Sequence, residues 1–368
     1  MSMLLRMLRI LALIAAVLAA PPVLAADDPQ VADDPQGDAF LAGYIQSILE
    51  RQLGWERGTY RLEVRDRAAT LLLLVDDPER RAAAEDALGQ IDALQSLTIT
   101  VAVTGDASLP EPRPGPILFP VGDFFRPLIA DPKEPRFFMS LLEMDTPTDR
   151  VTAASVGYGE SFGLWRAPGD RAGDGWQLSF VGGLFAQFNL SAPSSDLVNA
   201  DYNIGFRLSQ RTGRFSTRWR LYHQSSHLGD EFLLSQPDIE RMNLSIEVVD
   251  VTFSYERSRW RAYGGVGYMI GRDPSDLEPG MAQAGAEYRS TRVHHIGRFL
   301  AGLDVRILEE EDWETGVSLK AGFELGPPDP GRRNVRLMLE AYDGFAPFGQ
   351  FFRTDDIRYY GAGIYFGF

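Results

Sequence analysis

The stretch Trp176-Gln177-Leu178-Ser179-Phe180-Val181-Gly182-Gly183-Leu184-Phe185-Ala186-Gln187-Phe188-Asn189-Leu190 alternates along its whole length. Trp176, Leu178, Phe180, Gly182, Leu184, Ala186, Phe188 and Leu190 fall on one side, and Gln177, Ser179, Gln187 and Asn189 on the other. Successive strand side chains point to opposite faces, so the segment predicts a strand with one apolar and one largely polar face. Strands of soluble proteins usually run ~5–6 residues. A tilted strand that crosses a bilayer needs ~9–11.

The pattern recurs downstream. Val198, Ala200, Tyr202, Ile204, Phe206 and Leu208 oppose Asn199, Asp201, Asn203, Arg207 and Ser209. Phe299, Ala301, Leu303, Val305 and Ile307 oppose Asp304 and Arg306, and Val317, Leu319, Ala321, Phe323 and Leu325 oppose Ser318, Lys320 and Glu324. Val335, Leu337, Leu339 and Ala341 oppose Arg336 and Glu340. Mixed charges on one face suit an enclosed lumen, and the other face suits lipid. Only a closed barrel pairs every backbone group of such strands at membrane depth. Twelve strands are expected, near 136–146, 152–165, 175–190, 198–210, 214–226, 241–257, 259–271, 281–290, 298–308, 314–325, 334–343 and 356–368. Two places break the parity: Glu160 would face lipid, and Val248-Val249 imply a bulge in the sixth strand. Trp165, Trp176, Trp219, Trp260 and Trp313 lie in this region, four of them near strand ends, as an interfacial girdle requires.

The fold class is therefore mainly β: a transmembrane antiparallel barrel over 136–368 behind a small α+β domain. Residues 1–26 read as a signal peptide, with Arg6 and Arg9, the apolar run Ile10 to Ala20, and Val23-Leu24-Ala25 before cleavage. Residues 27–37 repeat Ala-Asp-Asp-Pro-Gln and read as an acidic linker. Over 38–105, periodicity gives helix, strand, strand, helix, strand, with a turn at Asp66-Arg67. Residues 106–135 are proline-rich and read as a linker or a plug, at the barrel rim or inside its lumen. The net charge of −15 is concentrated toward the N-terminal third, so non-specific nucleic-acid binding is excluded. The chain has no cysteine, which excludes disulfides, thiolate metal sites and a thiol nucleophile.

Four resemblances follow from motifs. The N-terminal element order resembles the BON domain, a small periplasmic module associated with membranes. Leu118-Phe119-Pro120, Phe125-Arg126-Pro127-Leu128-Ile129-Ala130-Asp131-Pro132-Lys133-Glu134-Pro135-Arg136-Phe137 and Arg272-Asp273-Pro274-Ser275-Asp276-Leu277 resemble the signature of an uncharacterised bacterial outer-membrane family, DUF1207. The closing alternation Tyr360, Ala362, Ile364, Phe366, Phe368 resembles the terminal strand read by the barrel-assembly machinery, which implies that machinery as a partner during insertion.

The fourth resemblance concerns chemistry. His223-Gln224-Ser225 resembles the motif of outer-membrane phospholipase A, whose family carries a His-Ser-Asn triad on the outside of a twelve-stranded barrel. Carried over, His223 is the base, Ser225 the nucleophile and Asn243 the group that orients the imidazole. Here Ser226-His227 replaces the family's Asn-Gly, and Asn243 has inward parity if Met242 and Leu244 face lipid. Lipid A deacylases use a similar His-x-Ser with an acidic third member, for which Asp230, Glu231 or Glu240 is available. A histidine two residues before a serine on one strand face sets a base beside a nucleophile. The reading is a candidate acyl-ester hydrolase acting on phospholipid or lipid A at the outer leaflet. Its partners would be outer-membrane lipid and lipopolysaccharide. The alternative is a non-enzymatic barrel, either a narrow pore or a structural envelope protein. No cofactor is implied with certainty. Asp230-Glu231 is a candidate pair for Ca2+ or for lipopolysaccharide-bridging cations.

Overall fold

The computed structural model describes residues 35–55, 59–74, 77–101, 116–169, 173–235, 242–294, 297–325, 334–351, 353 and 356–367. The expected signal peptide, most of the acidic linker, residues 106–115, Glu240 and Phe368 lie outside them.

Helix α1 (Pro35–Ser47) begins inside the expected linker and runs into a π-turn (Ile48–Gln52). Proline is well placed there, because the first helical N–H has no partner to lose. Strands β1 (Tyr60–Arg65) and β2 (Ala68–Leu73) form a hairpin. Asp66 and Arg67 both take left-handed dihedrals at its turn, as a two-residue hairpin demands, and both amides donate to the Asp38 carboxylate, at 2.7 and 2.8 Å. Helix α2 (Pro78–Leu88) is capped by Asp77, and β3 (Ser96–Val101) pairs parallel to β2. Leu41, Tyr44, Ile45, Ile48, Leu49, Leu71, Leu73, Ala84, Leu88 and Ile91 build a core belonging to these elements alone.

A two-residue strand, β4 (Ile117–Leu118), pairs with the edge of β6. The barrel follows: β5 (Phe137–Asp145), β6 (Arg150–Pro168), β7 (Gly175–Asn189), β8 (Asp196–Thr212), β9 (Phe215–Leu228), β10 (Leu244–Arg257), β11 (Trp260–Asp273), β12 (Gly280–His294), β13 (Gly297–Leu308), β14 (Thr315–Leu325), β15 (Asn334–Phe345) and β16 (Asp356–Gly367). Each pairs antiparallel with the next, β16 pairs with β5, and the sheet closes as a twelve-stranded barrel. The even count brings both chain ends to one end of the barrel, here the near end; the opposite end is the far end.

Among the described residues, the outer face carries a belt that only lipid would cover. Met139, Phe162, Phe180, Ile204, Leu221, Phe253, Val266, Leu303, Leu319, Leu339 and Ile364 are exposed large apolar side chains from eleven of the twelve strands. A soluble monomer rarely exposes a contiguous apolar patch of more than a few hundred Å2. Trp165, Trp176 and Trp260 sit at near-end strand termini and Trp313 in a far-end turn, the positions of an interfacial girdle. Glu160 does face outward. However, β5 pairs with β6 only as far as Gly157, so Glu160 stands on the near-end overhang of β6.

The polar face encloses peptide. Residues 122–136 fold into the lumen from the near end as a plug, one of the two expected placements. Glu134, buried, accepts hydrogen bonds from Arg207 at 3.0 Å and Arg218 at 2.8 Å. Asp131 accepts from Arg306 at 2.6 Å, and the Ile129 amide donates to Glu287 at 2.7 Å. Arg126 donates to Glu256 at 2.7 Å. The Phe125 ring lies between the guanidinium groups of Arg218 and Arg261, 4.7 and 4.4 Å from its centroid. Ile129 packs on bare backbone at Gly302, where a Cβ would come within 2.8 Å of it. This explains why Phe185 and Leu300, on the polar face by parity, are apolar: they pack with Ile129.

From the far end, the β15–β16 loop turns inward. The Gly349 amide, at φ +74°, donates to both oxygens of Asp201 at 3.1 Å, and Asp201 also holds Lys133 of the plug at 2.8 Å. The two ingrowing segments therefore meet on one buried carboxylate.

Two substitutions separate belt from plug. Leu339→Arg puts a charge on the belt and is expected to cost about 2–4 kcal/mol in urea unfolding from lipid vesicles. Glu134→Ala strands the buried Arg218 guanidinium and leaves Arg207 only the Asp123 carboxylate at 3.6 Å, and is expected to cost about 3–5 kcal/mol. Breaking the solvent-exposed Asp145–Arg150 pair should leave the unfolding midpoint essentially unchanged in the same assay.

Candidate functional site

His223 and Ser225 lie on β9 toward the far end, on the side that carries Phe215, Trp219 and Leu221, which is the outer face. Strict alternation fixes this, because Gln224 and Ser226 between and after them are buried inward. Their Cα atoms are separated by two steps of a strand rising ~3.4 Å per residue, about 6.8 Å. The imidazole and hydroxyl can meet by side-chain rotation.

Cross-strand pairing supplies a third member that sequence reasoning did not single out. Glu247 on β10 stands directly opposite His223, and His223 Nδ1 contacts Glu247 Oε1 at 2.8 Å. Both side chains are about two-fifths exposed. Glu247 thus engages Nδ1 and not Nε2, and no hydrogen bond joins His223 to the Ser225 hydroxyl among the described residues. Ser245 pairs with Ser225 and adds a second hydroxyl to the same face. Tyr202 pairs with Ser225 from the other side and meets the His227 ring edge-on at 5.7 Å.

The expected irregularity of the sixth strand takes another form. Leu244, Ile246 and Val248 all point inward, so the phase of β10 is unbroken; its inner face is simply apolar at the far end. The register slips between Glu247 and Val248 against β11, where the extra residue is Ile270. Such bulges often stand beside functional groups and re-aim them. At Gly271 a Cβ would lie 2.0 Å from Glu247 Oε2, so the glycine leaves room for the carboxylate beside His223.

Asn243 is exposed and not inward, since Leu244 is the inward neighbour. Its amide donates to Asp273, not to His223. Asp230 and Glu231 open a short helix, α3 (Asp230–Ser235), and both are exposed. Among the described residues no group of three or more His, Asp or Glu is arranged to hold a metal ion. The readable signal for Glu247 was its outer-face parity in a strand otherwise lined there by Val249, Val251 and Phe253.

A family model described as a protein of unknown function, DUF1207, matches residues 85–368. The chain belongs to this family. No curated protein matches the sequence. Among solved structures, outer membrane phospholipase A from Escherichia coli is similar at 14% identity and TM-score 0.46, over 63% of this chain and 90% of that one. The Salmonella typhi outer membrane phospholipase dimer with bound calcium matches at 14% identity and TM-score 0.46, over 63% and 91%. The β domain of the Bordetella autotransporter BrkA matches at 12% identity and TM-score 0.35, over 63% and 97%. Each likeness is one of barrel architecture alone.

In this geometry Glu247 holds the proton of His223 on Nδ1. Nitrogen-15 NMR of histidine-labelled protein, assigned with His223→Gln, should show His223 locked in that tautomer. Glu247→Leu and Gly271→Ala should both release it into tautomer exchange while the barrel still assembles.

Proposed function

We propose that this outer-membrane barrel is a serine-type acyl-ester hydrolase acting at its lipid-facing surface, with Ser225 as nucleophile, His223 as base and Glu247 as the orienting carboxylate. The observation that carries the reading is the His223 Nδ1–Glu247 contact of 2.8 Å on the outer face, with Ser225 next along that face. A nucleophile, a base and a group that orients the base form the arrangement acyl transfer requires. Asn243 is not part of it.

In the first half-reaction His223 Nε2 takes the Ser225 proton as Oγ bonds to the ester carbonyl carbon. The tetrahedral adduct collapses, the C–O bond to the alcohol breaks, and the alcohol leaves with the proton from Nε2. Water then repeats the sequence, releasing the fatty acid and restoring the hydroxyl. Glu247 stabilises the imidazolium in both halves. Ser245, paired with Ser225 on the same face, would donate to the oxyanion.

The substrate class follows from position. The cluster faces out of the barrel near the far rim, where lipid-face polar groups cost little and acyl esters are concentrated. With the near end periplasmic, the far rim meets the outer leaflet, and the ester is that of phospholipid or lipid A. The plug favours the structural half of the alternative over the pore, because ion-paired peptide fills the lumen.

Purified protein in mixed micelles or vesicles is expected to release fatty acid and to be labelled at Ser225 by an alkyl fluorophosphonate. Ser225→Ala and His223→Ala should abolish both, and Glu247→Ala should lower turnover by about 10²–10⁴-fold. Asn243→Ala should change it less than threefold. No release from phospholipid or lipid A by the wild type removes the proposal and leaves the structural reading.

A further inference from the structure

Glu160 lies on the outer face of β6 between Tyr158 and Phe162, which are 55% and 53% exposed. It is itself exposed, and among the described residues it makes no hydrogen bond or ion pair. A lipid-facing carboxylate without a partner is costly, and an ionisable group in such a place marks a site. The wall is incomplete beside it. β5 pairs with β6 only as far as Gly157, and β4 resumes at Trp165, so residues 158–163 have no strand on that side. The chain crosses at both ends of this gap. A Cβ at Gly159 would lie 3.0 Å from the Arg136 amide nitrogen, and one at Gly163 would lie 2.4 Å from the Pro120 carbonyl oxygen. Between the crossings is a cavity of about 550 Å3, with Phe119, Glu160, Phe162 and Phe366 from the outer face and Glu134 and Arg207 from within. Its size is that of a small-molecule site.

The surroundings of Glu160 suit a cation. Phe137 meets Tyr158 edge-on at 5.7 Å, and Phe119 meets Phe162 at 5.9 Å, so a pair of rings stands on either side of the carboxylate. Directly opposite on β7 is Gly182, where a Cβ would meet nothing within 4 Å. The space beside Glu160 is therefore open. Carboxylates and aromatic faces both attract ammonium groups. Within the cavity, Arg126 is matched by Glu256, Arg207 by Glu134 and Arg336 by Glu324. Arg136 donates to the carbonyls of Leu128, Ile129 and Glu134, and pairs with no carboxylate among the described residues. One carboxylate and one guanidinium of the same lining thus lack an ionic partner, which is the complement of a zwitterion.

We propose that this gap in the wall binds a zwitterionic phospholipid with an ammonium headgroup. The ammonium lies against Glu160 between the rings of Tyr158 and Phe162, the phosphate lies on the Arg136 side of the cavity, and the acyl chains follow the belt. A lipid with phosphate but no ammonium leaves Glu160 unanswered and sets a second negative charge beside it. The site is on β6, apart from His223 and Ser225 on β9, and does not depend on the hydrolase reading.

Native mass spectrometry tests this on the full chain released from nanodiscs of equal phosphatidylethanolamine and phosphatidylglycerol, matched in acyl chains. The wild type is expected to retain a phosphatidylethanolamine in about fivefold excess over phosphatidylglycerol. Glu160→Gln removes the charge at constant size and should bring the two lipids to parity. Gly182→Leu fills the open space and should do the same with the carboxylate intact. Asp145→Asn, at another exposed carboxylate, should leave the excess unchanged. Barrel assembly of each variant is verified by its mobility shift on heating. Parity in the wild type, an excess that survives Glu160→Gln or Gly182→Leu, or one lost in Asp145→Asn overturns the proposal.

Discussion

The contact on which the rest of the molecule depends is the Glu134 carboxylate between Arg207 and Arg218, deep in the lumen. A barrel wall facing lipid cannot hydrate guanidinium groups from outside, and a narrow lumen packed with side chains leaves little water inside. Arginines buried on the inner face therefore need carboxylates held in place, because an uncompensated buried charge is among the costliest defects a fold can carry. The plug brings Asp131 and Glu134, and the wall answers with Arg207, Arg218 and Arg306. Phe125, clasped between two guanidinium groups, fixes the segment where the charges must meet.

That constraint divides the protein by chemistry. Among the described residues, the lumen near the plug is committed to ion pairs. The far lumen holds a cavity lined largely by apolar side chains. The outer wall is left as the surface where lipid and polar side chains meet, and near its far rim the strands set His223, Ser225 and Glu247 on one face. Asp201 joins two of these regions, since the plug lysine and the inturned loop both bind it.

The barrel was legible because its signal is one-dimensional. All twelve expected strands are present, and the outward faces of Trp176, Phe180 and Leu339 follow from a period of two. The same rule put His223 and Ser225 on the outer face. The third member was not legible in the same way. Pairing Glu247 with His223 requires the register between β9 and β10, across a connection that runs from Gly229 to Asn243. Asn243 was favoured through the likeness to a phospholipase motif, but its parity is set by Leu244, which faces the lumen.

What the sequence alone determined was the alternation: which side chains share a face, how many strands exist, and that one face suits lipid. These follow from local backbone geometry, which each residue carries with it. Tertiary structure decided which residues meet across strands, that 122–136 fills the lumen instead of lying at the rim, and that Val248 points inward without a break in phase. Those outcomes depend on register, on bulges such as the one at Ile270, and on charges that find partners more than 70 residues away, as Glu134 does with Arg207. No local pattern encodes a distance of that kind, because it is set by the closure of the whole sheet.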